Sequence, residues 1–235
     1  MTAAESVADA TSDERIKWHT AFVEAIRAEF VGYLDALEFD EEKQLTSEPL
    51  KIDVLIIKKL ADRVIAKNIG RIFRSYNVVE YKSPDDYISV EDCQKVFAYA
   101  WLYASQNHVS SRDITVTFTA TSYPSGLFGR MEGEMCAAVT ETSPGIHVAS
   151  DFPMTVQFVE CGKLSEDENL WLKTLHKGID AESLRKVWRM RKGLGVPLSA
   201  YLYVLYAANP RLVREVGDKD MTAEMRQALI DVGFA

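Results

Sequence analysis

Asp53 and Glu80 are charged residues within two stretches whose composition favours β-strands, residues 52–57 and residues 76–81, and Lys82 directly follows the second stretch. A charge buried in a sheet is costly unless it is paired, so each of these side chains needs a partner or a metal ion. If the two strands are neighbours, the two carboxylates and the lysine meet at one place. The sequence therefore predicts a site for a divalent cation beside a reactive water molecule.

The faces of these strands follow from the alternation of side chains along a strand. Asp53 is predicted to share a face with Leu55, and Glu80 to share a face with Val78 and Lys82. A second interpretation stays open, in which one carboxylate and Lys82 form a partly buried ion pair without catalysis. Because such pairs add little net stability, they are a weak reason to place charge in a strand.

The composition is that of an ordinary soluble globular protein, with 235 residues, 47% of them hydrophobic and 26% charged. No apolar run is long enough to cross a bilayer, and the N-terminal residues lack the basic start and apolar core of a signal peptide. The three cysteines (Cys93, Cys136 and Cys161) are odd in number and widely spaced, which favours a reducing compartment. We therefore expect a cytoplasmic protein with no membrane contact.

The net charge of −8 argues against a general nucleic-acid coat protein. Residues 51–82 nevertheless contain eight basic and three acidic residues. Positive charge around a candidate acidic site favours an enzyme that acts on a polyanion, and Lys58, Lys59, Arg71 and Arg74 are the candidate nucleic-acid contacts. A solvated connection that binds nothing is equally compatible with this pattern.

The spacing of apolar residues predicts an α-helix over residues 15–37, followed by an acidic turn at residues 38–42 and a short edge strand near Leu45. Ser89 and Asp92 form an N-cap signal for a helix that covers the sheet. Further strands are predicted at residues 114–120, 146–149 and 155–160, and further helices at residues 123–131, 166–177, 181–192, 197–208, 211–216 and 223–232. This order predicts an α/β fold with a mixed central sheet flanked by helices and a helical C-terminal extension.

The order Ile52-Asp53, then Glu80-Tyr81-Lys82 on the following strand, then a helix resembles the PD-(D/E)XK nuclease superfamily. Three longer segments, EPLKIDVLIIKK, NIGRIFRSYNVVEYKSPDDY and SEDENLWLKTL, resemble its branch related to recombination-promoting nucleases and transposases. The resemblance covers the chain from about Trp18 onward. It implies a restriction-endonuclease-like core over residues 15–162, with a disordered tail at residues 1–14 and the helical extension, residues 163–235, packed on the core.

The same resemblance implies metal-dependent hydrolysis of phosphodiester bonds in DNA, associated with mobile elements or recombination. Asp53 and Glu80 would bind Mg²⁺ or Mn²⁺ together with the backbone carbonyl of Tyr81, and Lys82 would position and stabilise the attacking hydroxide. Oxygen ligands suit Mg²⁺, which leaves room for waters and a phosphate. The ion would polarise the phosphodiester and lower the pKa of a bound water.

Three further residues are predicted to have accessory roles. Some members of the superfamily carry a glutamate on the first helix, and Glu29 is our choice for it. Many relatives carry a glutamine and a tyrosine on the helix after the motif, but Gln94 and Tyr99 stand five residues apart here. Lys95 and Tyr99 stand four apart and share a helix face, so both are expected to point toward a ligand.

A second class of function is a catalytically degenerate PD-(D/E)XK-like module that binds a partner or assembles with itself. Trp171, Trp188 and the tyrosines of residues 201–206 recur at helical spacing, so they are either core residues or contacts of a homo-oligomer. DNA is the predicted substrate in the first class of function, whereas the second requires no chemistry.

Overall fold

The structure is a computed structural model that describes residues 17–40, 54–60, 63–149 and 151–212. Its strands are β1 (Leu37–Asp40), β2 (Val54–Lys59), β3 (Tyr76–Tyr81), β4 (Ile114–Ala120), β5 (Val139–Ser143), β6 (Ile146–Ala149) and β7 (Thr155–Glu160). Its α-helices are α1 (Trp18–Glu29), α2 (Val90–Asn107), α3 (Leu127–Met135), α4 (Leu170–Lys173), α5 (Ala181–Met190) and α6 (Ser199–Ala208). The predictions for the tail, for the strand near Leu45 and for the last helix concern residues outside these ranges, as does Asp53.

The seven strands of the described ranges form one mixed sheet in the order β1-β2-β3-β4-β7-β6-β5. The first three strands are antiparallel neighbours, β3, β4 and β7 are parallel, and β6 and β5 return antiparallel. Parallel neighbours need a crossover connection, and α2 supplies it between β3 and β4. The predicted α/β class, with a mixed sheet between helices, is confirmed.

Each face of the sheet has its own core and its own helices. Leu55, Ile57, Val79 and Tyr81 belong to a core with α1, α4, α5 and α6, which we call the α1 face. Val54, Ile56, Val78, Phe118 and Phe158 belong to a core with α2 and α3, which we call the α2 face. The α2 face also contains a stack of aromatic rings, with Phe118 and Phe158 centroids 5.0 Å apart.

The described part of the helical C-terminal extension, residues 163–212, shares the core of the α1 face. Helix α1 packs against α6 and α4. Trp171, Trp188, Tyr201 and Tyr206 are all buried within this core, so the interpretation of these aromatic residues as core residues holds. In the described ranges, no helix has the length and apolar character needed to span a membrane.

The helix predicted over residues 15–37 is shorter than predicted, and the turn predicted at residues 38–42 is wrong for residues 38–40, the part of it that the structure describes. Helix α1 ends at Glu29, and Leu37 begins β1. The charges that predicted a turn are accommodated in a strand because Lys58 of β2 lies 2.5 Å from Glu38 and 3.9 Å from Asp40. Opposite charges on paired strands stabilise the pairing.

Other predicted elements are shifted or shortened. Helix α3 begins at Leu127 rather than at residue 123, and the hydroxyl of Tyr123 instead donates to the carbonyl oxygen of Phe118 at 2.8 Å. The helix predicted over residues 166–177 is the single turn α4, and β5 was missed because its residues are mostly exposed. Trp101 of α2 is 43% exposed.

The two outermost strands of the described sheet are β1 and β5. They have four and five residues. Acidic residues lie on both strands: Glu38 and Asp40 on β1, and Glu141 on β5.

Candidate active site

Lys82 directly follows β3, at the carboxyl end of that strand, where the chain leaves the sheet toward α2. Its backbone N–H donates to the carbonyl oxygen of Thr119 at 2.9 Å, which extends the β3–β4 ladder by one residue. Its ammonium lies 3.2 Å from Asp92 Oδ1, 3.5 Å from Glu80 Oε1 and 3.8 Å from Asp86 Oδ2. Only 16% of the Lys82 side chain is exposed, so three carboxylates share one largely buried cation.

Sequence reasoning missed two members of this group, Asp86 and Asp92, of which Asp92 lies nearer to Lys82. Asp92 Oδ2 accepts hydrogen bonds from the Ser89 backbone N–H at 3.0 Å and from the Ser89 hydroxyl at 2.9 Å, while the Ser89 hydroxyl oxygen accepts the Asp92 N–H. This capping box was predicted, but it uses one carboxylate oxygen only. The other oxygen, Oδ1, is left for Lys82.

Glu80 lies on the α2 face, opposite Val54 of β2 and beside Phe118 of β4. Burial raises the pKa of the Glu80 carboxyl to about 7, since Lys82 offsets only part of the burial and the charge of Asp92 adds to it. Glu80 Oε2 is buried and has no hydrogen-bond partner in the described part of the chain. An unpartnered carboxylate oxygen of this kind suits a cation, because a buried polar atom is expected to be paired.

Lys82 and Asp92 keep their charges near neutral pH. Burial opposes the charge of Lys82, but the nearby carboxylates of Glu80, Asp92 and Asp86 raise the pKa of its ammonium. Burial also opposes the charge of Asp92, but the hydrogen bonds from Ser89 and Lys82 lower the pKa of its carboxyl. Glu80 is therefore the group in this cluster that changes charge near neutral pH.

Lys95 and Tyr99 of α2 both interact electrostatically with Glu80, and their predicted orientation toward a ligand stays a prediction. The charge of Lys95 lowers the pKa of Glu80, and burial together with the charge of Glu80 raises the pKa of the Tyr99 hydroxyl. Tyr99 is buried, whereas Lys95 is exposed. The Glu80 carboxylate therefore interacts with a buried tyrosine and with an exposed cation of the same helix.

Asp53 lies outside the described residues, and its place in the site stays a prediction. Alternation along the strand was expected to put Asp53 on the same face as Leu55 and near Glu80. The two parts of this expectation conflict, because Leu55 belongs to the α1 face and Glu80 to the α2 face. The described part of β2 begins at Val54, which follows Asp53 in the chain and lies opposite Glu80. The predicted adjacency of the two strands is confirmed.

Glu29 is not brought to Glu80. Its carboxylate lies on the α1 face, where Oε2 is 2.5 Å from Lys67 Nζ and Oε1 accepts the backbone N–H of Leu172 at 3.0 Å. Burial raises the pKa of this carboxyl, and Lys67 opposes the rise. Glu29 therefore joins α1 to α4 and has a structural environment of its own.

The ring of Tyr81 also points to the α1 face, where it stacks on Phe22. The predicted metal contact of Tyr81 concerned its backbone carbonyl rather than its ring, and that contact stays a prediction.

The basic residues of the β2–β3 region do not gather around Glu80. Lys58 lies opposite Tyr76, about 13 Å along the strand from the Val54–Glu80 pair at the usual rise per residue. It is held by Glu38, while Lys59 ends β2. Arg74 precedes β3 at the same end of the sheet, and Arg71 donates to the Ala66 carbonyl oxygen at 3.4 Å.

A second ionisable cluster lies on the α2 face of β6 and β7. His147 Nε2 is 3.7 Å from Glu160 Oε2, and Lys163 Nζ is 3.0 Å from the same oxygen. His147 is buried, and it lies on strand β6. Glu160 pairs with Ala120 across the β4–β7 ladder, so one strand, β4, separates Glu160 from β3.

Among the described residues, no group of three or more His, Cys, Asp or Glu side chains is placed to hold a metal ion. These residues supply one buried carboxylate with an unpartnered oxygen, that of Glu80, and one paired carboxylate, that of Asp92. Comparison of the chain with protein-family models, with curated proteins and with solved structures found no match in any of the three.

Proposed function

We propose that the protein hydrolyses phosphodiester bonds of DNA with the help of a divalent metal ion, at a PD-(D/E)XK-type site built on Glu80 and Lys82. One observation carries the proposal: a largely buried ammonium lies 3.5 Å from a buried carboxylate whose second oxygen has no partner within the described ranges. Both side chains stand at the end of β3, immediately before the helix that covers the sheet. We describe the mixed sheet accordingly as a restriction-endonuclease-like core.

The donor set fits Mg²⁺ or Mn²⁺ in its chemistry. Glu80 Oε2 is an oxygen ligand without a partner, and Asp53 is the proposed second carboxylate. One or two carboxylates together with substrate phosphate and waters are a usual set for Mg²⁺. When bound, the ion supplies polarisation of the phosphate and a water of lowered pKa.

Lys82 has the clearer role, because its position is determined on both sides. Its backbone is held in the β3–β4 ladder and its ammonium by Asp92. During hydrolysis the water oxygen bonds to phosphorus, the P–O bond to the leaving oxygen breaks, and that oxygen takes up a proton. A fixed ammonium beside the phosphate stabilises the negative charge that develops on the non-bridging oxygens.

The test is cleavage of supercoiled plasmid with Mg²⁺ or Mn²⁺ by the wild type, Asp53→Ala and Lys82→Ala. We expect Asp53→Ala to lose both cleavage and the rise in melting temperature that Mn²⁺ causes in the wild type. Lys82→Ala should keep that rise and lose about 100- to 1000-fold in rate. Lys186→Ala is the control: Lys186 lies on α5 and pairs with Asp167, so this variant should cleave like the wild type. Equal cleavage by all four proteins identifies a contaminant and overturns the proposal.

A non-cleaving module of the same fold is the second candidate, and the charges around Lys82 favour it. Asp85 and Asp86 precede α2, and Glu91 and Asp92 lie in its first turn, so the surroundings are acidic and repel a polyanion. Lys82 is already shared by carboxylates, as in a structural ion cluster. Absence of cleavage, with no effect of Mn²⁺ on the melting temperature, would select this second candidate.

A further inference from the structure

We propose that Asp92 is a positioning residue for Lys82, which keeps the ammonium beside the reacting phosphate when a cation occupies Glu80. The inference rests on the proposed function, and it assigns a part of that site which the Glu-x-Lys pattern does not contain. It follows from how the two carboxylates divide the contacts of one lysine.

Glu80 cannot serve both the metal ion and Lys82 equally well. A divalent cation on Glu80 Oε2 would withdraw charge from a carboxylate whose other oxygen lies 3.5 Å from the ammonium. The ion would also repel the ammonium directly, because two positive charges a few ångströms apart in a poorly solvated place interact strongly. With Glu80 as its only partner, Lys82 would therefore be displaced at the moment its charge is needed.

Asp92 provides the anchor that remains. Its Oδ1 is the nearest carboxylate oxygen to Lys82 Nζ, at 3.2 Å, and 28% of its side chain is exposed. The third carboxylate, Asp86, lies at 3.8 Å and is 55% exposed, so water screens its attraction. Asp92 is therefore the partner able to hold the lysine independently of Glu80.

The orientation of Asp92 is fixed by the helix that carries it. Ser89 holds Oδ2 with two hydrogen bonds, so the carboxylate is not free to turn. Helix α2 is in turn anchored in the core of the α2 face by Val96 and Phe97. A side chain held on a packed helix places its partner more accurately than one on a loop.

A double-mutant cycle of Asp92→Asn and Lys82→Ala tests the inference. Asparagine keeps an oxygen for the cap and removes the charge. In the wild-type background we expect Asp92→Asn to lower kcat by about 10- to 100-fold with little change in KM, since only the position of Lys82 is altered. In the Lys82→Ala background the same substitution should cost nothing further, because its effect passes through the lysine.

Two variants separate positioning from stability. Glu91→Gln removes the neighbouring carboxylate in the same helical turn, which pairs with Arg130 instead of Lys82, and should leave kcat unchanged. Asp92→Glu keeps the charge one methylene group away and should restore part of kcat. Circular dichroism and the Mn²⁺-dependent melting temperature check that each variant is folded and still binds metal.

The outcomes distinguish the two proposals. If the wild type cleaves DNA and Asp92→Asn does so at the same rate, the positioning role is overturned while the nuclease proposal stands. The same holds if Asp92→Asn costs as much in the Lys82→Ala background as in the wild type. If the wild type itself does not cleave with either metal, the proposed function fails, and the positioning role fails with it.

Discussion

The ring of Tyr81 stacks on the ring of Phe22, with centroids 4.4 Å apart and planes inclined by 9°. Tyr81 is the residue between Glu80 and Lys82, and it points to the opposite face of the sheet from Glu80. The candidate site on the α2 face is therefore backed by an aromatic contact on the α1 face, which ties the end of β3 to α1.

Phe22→Ala should lower the free energy of unfolding by about 3–5 kcal/mol, because it removes a fully buried ring and leaves a cavity beside Tyr81. Urea denaturation followed by circular dichroism measures the change. Tyr87→Ala is the matched control, since that ring is 63% exposed and its loss should cost little. A similar cost for both variants would contradict the role given to the stack.

The stability of the protein should fall as pH rises from 5 to 8, through the titration of Glu80. Its pKa is about 7 in the folded protein against an ordinary 4.5, so the folded state holds the proton more tightly than the unfolded state does. This stabilisation is fully present below pH 4.5 and is lost as pH rises through 7; the shift corresponds to about 3 kcal/mol.

Glu80→Gln should flatten this dependence, because glutamine stays neutral in the same place. The groups that surround it are Lys82, Asp92, Lys95 and Tyr99. Of these, Lys82 keeps its charge throughout the range, and Asp92 is ionised throughout it. Urea denaturation at pH 5, 6, 7 and 8 gives the slopes for both proteins, and equal slopes would show that Glu80 does not titrate there.

Lys67→Met should destabilise the protein by about 3–5 kcal/mol, because it leaves the Glu29 carboxylate buried without its cation. The Glu29 side chain is only 1% exposed. Lys58→Met removes a lysine from Glu38, which is 48% exposed, and should cost about 0–1 kcal/mol. Combining Lys67→Met with Glu29→Gln should recover part of the loss. Thermal and urea denaturation test the three variants. Equal losses of stability for Lys67→Met and Lys58→Met would refute the claim that the buried ion pair matters more than the exposed one.

Gly145→Ala should be more destabilising than Gly126→Ala, although both glycines have positive φ angles, of +74° and +88°. A Cβ at position 145 would lie 2.7 Å from the carbonyl oxygen of Glu160, whereas a Cβ at position 126 would meet nothing within 4 Å. The left-handed conformation alone costs about 1–2 kcal/mol, so the difference between the variants measures the backbone contact. Similar melting temperatures for the two variants would show that the β5–β6 turn can move away from the Glu160 carbonyl oxygen at little cost.

Much of the sheet was predictable because its strands follow simple rules. Strands β3, β4, β6 and β7 were predicted with the bounds that the structure shows, since branched and aromatic residues dominate them. Strand β1 was not, because Glu38 and Asp40 indicate a turn until Lys58 is known to lie across from them. Cross-strand pairing is a property of the folded chain and is invisible in one segment.

The same limit explains the errors around the helices. The helix predicted over residues 166–177 is the short helix α4, in which the backbone N–H of Leu172 is bound by Glu29, 143 residues away in the sequence. A cap supplied from another helix has no local sequence signature.

The sequence predicted which kinds of residue make up the candidate site, but it did not predict all the contacts between them. The Glu80–Lys82 contact, at 3.5 Å, follows from alternation along one strand. The third partner, Asp92, was recognised as a helix cap, but only the folded structure shows that its second oxygen faces Lys82. The predicted gathering of positive charge failed for a physical reason: Lys58, Arg63 and Lys67 are each neutralised by an acid of residues 29–40.

The borders of the sheet influence how copies of the protein meet. A strand from another molecule that approached β1 would encounter Glu38 and Asp40, and one that approached β5 would encounter Glu141. Short, negatively charged border strands discourage the addition of further strands, and therefore fibril growth. Self-association by continuous intermolecular β-pairing is thereby disfavoured, and any assembly of this protein is expected to use its helical surfaces instead.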